Sequence, residues 1–286
     1  MLTTRLWMGA VLVVLTVGML VGDQWLAPVY PFLLLFQLGL SLFACYEFIE
    51  LLGNHRAPQA ATCFLGVAVL VLANWLQIWI GSHERIWLIL AGILAGFLLL
   101  VFLYEMAGFA APNRSVERMA LTWFIIAYVG LLPCFFAQIR WLPDVRTGDW
   151  SGSIRLALAA FVPKCCDIGA YFTGKLIGRH PMTPILSPKK TVEGGIGGIV
   201  TAILATIGID RIAGSVLGES LVWEIGFGLT VGIAGMIGDL AESLIKRDCQ
   251  TKDASAVMPG FGGVLDVVDA IIYSAPVSYL WFVLLK

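Results

Sequence analysis

Residues 86–106 read IWLILAGILAGFLLLVFLYEM, twenty-one positions with a single charge, Glu105, close to the end. As a helix this run rises about 31 Å, roughly the thickness of the hydrocarbon core of a bilayer. Comparable runs recur from one end of the chain to the other, and the 286 residues are 59% hydrophobic and only 13% charged. Mean hydropathy is +0.89, outside the range of soluble globular domains. The alternation that spanning strands would need is absent. The reading is therefore an all-α, polytopic integral membrane protein.

Nine spans are predicted, at about 5–22, 28–52, 61–81, 86–106, 117–140, 153–178, 193–213, 221–247 and 266–285, with no room for a separate soluble domain. The chain divides into an amino-terminal set of helices, 1–140, and a carboxy-terminal set, 153–286, in which the charged motifs collect. Arg5 precedes the first apolar run as in a signal peptide, but no small-x-small cleavage site follows before Asp23, so an uncleaved helix is expected. Six scattered cysteines without a Cys-x-x-Cys pair read as small packing residues. His55, His83 and His180 are isolated near span ends and read as interfacial rather than ligating.

Lysine and arginine placement sets the expected orientation. With the amino terminus in the cytoplasm, eleven basic residues fall on inward segments and six on outward ones, with Lys164 inside a span. The two most charged loops, 179–192 and 248–265, then face the cytoplasm.

Charge inside spans costs about 2.5–3.5 kcal/mol per residue near mid-bilayer, so it is normally turned toward a cavity, a partner or a site. Asp239, Glu242 and Lys246 stand at offsets 0, 3 and 7, within about 60° of one another on a helix. Lys164, Asp167, Tyr171 and Lys175 form a second stripe at offsets 0, 3, 7 and 11. Mutual neutralisation, Lys164 with Asp167 and Glu242 with Lys246, is one reading of these stripes. It leaves Asp239 without a partner in its own helix. Asp266 and Asp269 follow at i,i+3 where the ninth helix begins, and first-turn acids favour the helix dipole, which accounts for one of them more readily than two. Hard divalent cations prefer carboxylate oxygens, and no histidine or thiolate is close in sequence, so a joint site with Asp239 suits magnesium rather than zinc.

Glycines 260, 262 and 263 permit tight turns and close backbone approach to a ligand. Gly194, Gly195, Gly197 and Gly198 read as close helix packing. The segment SPKKT, 187–191, sets two lysines beside a helix amino terminus, an arrangement that suits phosphate as well as simple anchoring at the membrane face.

Three blocks then resemble the phosphatidate cytidylyltransferase family, the CDP-diacylglycerol synthases: DIGAYFTGKLIGRH (167–180), SPKKTVEGGIGG (187–198) and GDLAESLIKRDCQTKDASAVMPGFGGVLDVVD (238–269). The last block carries six of the chain's nineteen acids. It reproduces the family signature through Ser243, Lys246, Arg247, Lys252, Asp253, Pro259, Gly262, Gly263, Asp266 and Asp269. It departs at Phe261, where the family usually has histidine, and at Val267, where it usually has arginine.

The resemblance implies an enzyme that joins CTP to phosphatidate with a divalent metal, giving CDP-diacylglycerol and pyrophosphate at the cytoplasmic face of the inner or plasma membrane. Asp239 and Asp266 would hold Mg2+, with Asp269 and Glu242 as alternative or outer ligands, and Lys246 would complete the catalytic group. Lys189, Lys190 and Arg247 would hold phosphates, Lys252 would assist, and Ser187, Thr191, Gly262 and Gly263 would shape the binding loops. Asp167, Tyr171 and Lys175 would line the cavity floor, and Ser243 would serve packing or the metal's surroundings. The implied partners are CTP, phosphatidate, the lipid bilayer and a second copy in a homodimer; no nucleic acid is expected.

A transporter using intramembrane Asp, Glu and Lys, and an inactive paralogue, are the alternatives. The absence of any Asp-Gly pair disfavours a CDP-alcohol phosphotransferase, and the absence of a Gly-x-x-x-x-Gly-Lys-Ser/Thr loop disfavours an ATP-driven pump.

Overall fold

A computed structural model describes residues 2–53, 57–111, 114–142, 150–251, 254–255, 257–258 and 262–285. Lys252, Asp253, Pro259, Gly260 and Phe261 of the charged motif lie outside the described residues. So do His55, Arg56, Arg146 and Lys286 among the groups weighed above.

The chain runs through α1 (Leu2–Gln24), α2 (Pro31–Leu52), α3 (Ala60–Asn74), a short α4 (Gln77–Ile80), α5 (His83–Ala107), α6 (Ser115–Ile125), α7 (Leu132–Gln138), α8 (Ser151–Ile177), α9 (Val192–Ala213), α10 (Leu221–Asp248) and α11 (Val264–Leu284). Among the described residues nine segments are long and apolar enough to cross a membrane: α3 with α4 makes the third, and α6 to Trp141 makes the fifth. These are the nine predicted spans, with ends shifted by a few residues. Large apolar side chains remain exposed along their outer faces, Leu88 at 73% and Leu204 at 63% for example, as lipid contact requires.

Polar residues fix the span ends. The Asp23 carboxylate, at the end of α1, accepts from the backbone N–H groups of Phe32 (2.9 Å) and Leu33 (2.6 Å), capping α2 behind Pro31. Ser82 caps α5 by accepting from Arg85 N. The bidentate Arg211–Glu224 pair, at 2.9 and 3.1 Å, ties the end of α9 to the start of α10. Arg118 pairs with Glu105, and Gln59 donates to the same carboxylate at 3.1 Å, joining α3, α5 and α6 at the opposite end.

The segment read as a loop at 179–192 contains a two-stranded antiparallel hairpin, β1 (Pro181–Thr183) with β2 (Ser187–Thr191), in which Pro181 faces Thr191 and Thr183 faces Ser187. Thr191 ends it by accepting from Gly194 N at 3.1 Å, so the strand passes directly into the α9 cap. Three of the four glycines that follow pack as read, whereas a Cβ at Gly195 would meet only the Met182 and Met236 sulfurs, at 3.4 and 3.8 Å. A Cβ at Gly194 would lie 2.8 Å from Ala170 O, at Gly197 2.1 Å from Thr173 Oγ1 and at Gly198 2.7 Å from Cys166 O, so α9 can lie this close to α8 only without those side chains. The six cysteines are free thiols, four of them buried, in keeping with a packing role.

Spans that alternate in direction bring the ends of α2, α5, α8 and α10, with the starts of α3, α6, α9 and α11, to one face. That face carries the charged residues described next.

Candidate active site

Four elements build the site: the last turns of α8, strand β2, the last three turns of α10 and the first two turns of α11. Gly238 sets the distance between α10 and α11, because a Cβ there would stand 2.8 Å from Asp269 O and 2.7 Å from Tyr273 Cβ. Gly235 does the same toward α8, where Pro163 Cβ lies 2.8 Å from the would-be methyl. Small residues one turn apart on α10 therefore press it against both neighbours.

On the helix face so positioned, carboxylate oxygens of Asp239, Glu242 and Asp269 all lie within 4.8 Å of one another. Glu242 and Asp269 are buried, at 1% and 3% exposure, and Asp239 is half-buried. Lysines surround the group. Lys164 Nζ stands 3.2 Å from Asp269 and 3.3 Å from Asp167. Lys190, reaching from β2, is 2.6 Å from Asp239. Lys246 is 2.6 Å from Glu242 and 2.5 Å from Asp266. Both neutralising pairs read from the sequence are present, and Asp239 finds its partner on the hairpin rather than in its own helix.

The pairing is incomplete. Among the described residues, Asp167, Asp239, Glu242, Asp266 and Asp269 share three lysines, which leaves two formal negative charges. Glu242 Oε1 is also buried with no hydrogen-bond partner among the described residues. Unmatched charge and an unsatisfied buried acceptor each cost free energy away from water. A divalent cation would relieve both. The donor set is entirely oxygen, which fits magnesium.

Asp266 is occupied differently from its three neighbours. It accepts from the backbone N–H of Gly263 (2.7 Å) and of Ala254 (3.1 Å) in addition to Lys246, so it caps α11 and holds the preceding loop. The structure thus brings Asp239 together with Glu242 and Asp269, and turns Asp266 toward the loop and Lys246.

The remaining predicted residues separate into groups. Lys189 is exposed, beside the half-buried Lys190. Arg247 donates to the backbone oxygens of Leu186 (3.4 Å) and Thr251 (3.1 Å), joining the hairpin tip to the end of α10. Ser187 lies in the hairpin register and Thr191 caps α9. Tyr171 is exposed and carries Lys175 Nζ over its ring at 5.7 Å, a cation–π contact one turn beyond Asp167. Ser243 is buried in α10. Gly262, with φ at 101°, bonds back to Met258 through both backbone groups, closing the turn ahead of α11.

Glu47 is the residue that sequence reasoning missed. Fully buried near the end of α2, its carboxylate accepts from Val264 N (2.9 Å), Leu265 N (2.8 Å) and the Ser255 hydroxyl (2.6 Å), so a second helix caps the start of α11. Two acids near the end of the second predicted span, Glu47 and Glu50, were the available signal. Gly263 makes the approach possible, because a Cβ there would lie 2.6–2.8 Å from the Glu47 carboxylate atoms. Gly263→Ala is accordingly expected to lower the thermal stability of the detergent-solubilised protein by about 1–3 kcal/mol, as overpacking does. An unchanged melting midpoint would count against this contact.

Nine apolar spans and an oxygen-rich charged centre at one end of the bundle define a multi-pass helical membrane protein with a cation- and phosphate-compatible site. The chain belongs to the cytidylyltransferase family, whose sequence profile matches residues 3–285. It is 37% identical over 158 residues to a phosphatidate cytidylyltransferase of Bacillus subtilis (strain 168), covering 55% of each chain. It is 35% identical over 184 residues to phosphatidate cytidylyltransferase 5, chloroplastic, of Arabidopsis thaliana, covering 58% of this chain and 45% of that one. Over nearly its whole length, 284 residues, it is 30% identical to the uncharacterized protein YnbB of Escherichia coli (strain K12), covering 97% of this chain and 85% of that one. The matched part spans about half the length of the two phosphatidate cytidylyltransferases.

Proposed function

We propose that this protein is a magnesium-dependent phosphatidate cytidylyltransferase working at the cytoplasmic membrane face. The observation that carries the proposal is the convergence of Asp239, Glu242 and Asp269 within 4.8 Å in a chain of this family. The excess of inward lysine and arginine supports the cytoplasmic assignment, and CTP is a cytosolic solute.

In the reaction a phosphate oxygen of phosphatidate attacks the α-phosphorus of CTP; the new P–O–P bond forms as the bond to the β-phosphate breaks and pyrophosphate leaves. The acceptor already carries its nucleophile, so no activated serine is needed. Both reactants are anions, and alignment and charge make up most of the barrier. Asp239, Glu242 and Asp269 would hold Mg2+, which when bound neutralises phosphate charge and stabilises the departing pyrophosphate.

The chain's own cations do the rest. Lys190, paired with half-buried Asp239 and itself partly exposed, is placed to exchange that partner for a phosphate oxygen, with Lys189 beside it. Lys164 and Lys246 hold the Asp269 and Glu242 side chains in place through their ion pairs. Exposed Tyr171 and Lys175, on the outer side of α8, offer a lipid-facing edge where a phosphatidate headgroup would enter from the leaflet. Family membership leaves the transporter alternative without support.

The test is pyrophosphate release by purified protein in detergent with phosphatidate, each of the four nucleoside triphosphates, and Mg2+ or a chelator. Release is expected with CTP, phosphatidate and Mg2+ together, and to stop with the chelator. A folded sample that releases none with any nucleotide would overturn the proposal.

A further inference from the structure

The fifth span does not run as one α-helix. Between α6 and α7 the chain takes a π-helical stretch, Ile126–Leu131, with Pro133 at the second position of α7. Proline has no N–H to donate to the carbonyl one α-turn back, which favours a locally wider turn there. Gly130 sits at its packed side, where a Cβ would approach Val67 Cα at 3.2 Å. Such single π-turns inside α-helices occur often at functional sites.

This one carries Tyr128. Its ring is buried against Phe124 (stacked, 5.7 Å) and Phe48 (edge-on, 6.2 Å). It shares an apolar cluster with Val264, Leu265, Val268 and Ile272 of α11, the residues on either side of Asp266 and Asp269. At 6% exposure its hydroxyl lies within Coulombic reach of the Asp269 and Glu242 carboxylates and has no hydrogen-bond partner among the described residues. In the carboxylate centre, Glu242 Oε1 is a buried acceptor that likewise has no partner among the described residues. An isolated buried donor and an isolated buried acceptor each cost free energy that a shared bridge would recover. Nothing about packing a ring between Phe48 and Phe124 requires a hydroxyl.

We propose that Tyr128 is a positioning residue of the carboxylate centre: its hydroxyl, through one bridging water, donates to the Glu242–Asp269 pair and fixes the orientation in which these side chains hold a divalent cation. A carboxylate has about four lone-pair positions, enough for a lysine, a cation and an outer donor together. Outer donors of this kind typically change metal affinity ten- to a hundredfold when removed. The inference rests on the cation reading given under Proposed function and extends it to the amino-terminal helices.

The experiment is Mn2+ titration of the full-length protein in detergent without substrates, followed by electron paramagnetic resonance of the free ion. Wild type, Tyr128→Phe and Phe124→Leu are compared, with thermal stability measured on each metal-free sample. Tyr128→Phe is expected to weaken Mn2+ binding by about ten- to a hundredfold while melting no earlier than Phe124→Leu. Phe124→Leu, which alters only ring packing, is expected to melt earlier and bind Mn2+ as wild type does. Wild-type affinity in Tyr128→Phe would overturn the positioning role alone. A wild-type protein that binds no Mn2+ would overturn the cation reading and this inference together.

Discussion

Asp239→Asn is expected to cut pyrophosphate release about a thousandfold or more while leaving the protein folded. The substitution keeps size and shape and removes one of three carboxylates that lie within 4.8 Å of one another. Loss of a cation that stabilises transferring phosphate charge is worth several kcal/mol, and about 4 kcal/mol corresponds to three powers of ten in rate. Folding should tolerate the change, because Asp239 is only half-buried and its partner Lys190 stays in contact with solvent. Exposed pairs of this kind add little stability. The check is the pyrophosphate assay alongside a thermal melt. Activity within tenfold of wild type, at matched folding, would remove Asp239 from the ligand set.

Glu47→Ala should act in the opposite way, through the fold. Its carboxylate serves two backbone N–H groups of α11 and the Ser255 hydroxyl, all at 2.6–2.9 Å and with no exposure to solvent. Deleting it leaves these donors unsatisfied at a helix end, at about 1–3 kcal/mol each, and removes a negative charge from the positive end of the dipole. A markedly lower melting midpoint in detergent is expected, and activity should fall with it because the first two turns of α11 present Asp266 and Asp269. Glu47→Gln keeps one acceptor oxygen and should lie between the two. A Glu47→Ala protein as stable and active as wild type would show that α11 is held by something else.

Much of this arrangement can be read in the chain itself, for identifiable reasons. Span positions follow from runs such as 86–106, where composition alone meets the length of the bilayer. The helix there extends to His83–Ala107 because Ser82 and Glu84 supply a cap and a first-turn acid that a hydropathy reading ignores. The shared face of Asp239, Glu242 and Lys246 follows from helical spacing, since all three lie on one element.

What was not legible depends on contacts between elements. Asp266 and Asp269 look equivalent as sequence, yet Asp266 falls at the third position of a helix whose cap residue, Gly263, has no side chain, so it takes over the capping itself. Asp269, one turn on, is free of that duty and faces Lys164. Glu47 meets donors more than two hundred residues away, and no local pattern records such a partner. The hairpin at 181–191 is too short, and too poor in alternating apolar residues, to stand out beside nine long helices.

The most direct test is a crystal of the protein soaked in Mn2+ and measured at an energy where manganese scatters anomalously. A single strong peak is expected about 2.1–2.2 Å from oxygens of Asp239, Glu242 and Asp269, the bond length of such small hard cations. A peak coordinated by Asp266 away from those three side chains, or no peak in crystals that bind CTP, would contradict the site as described.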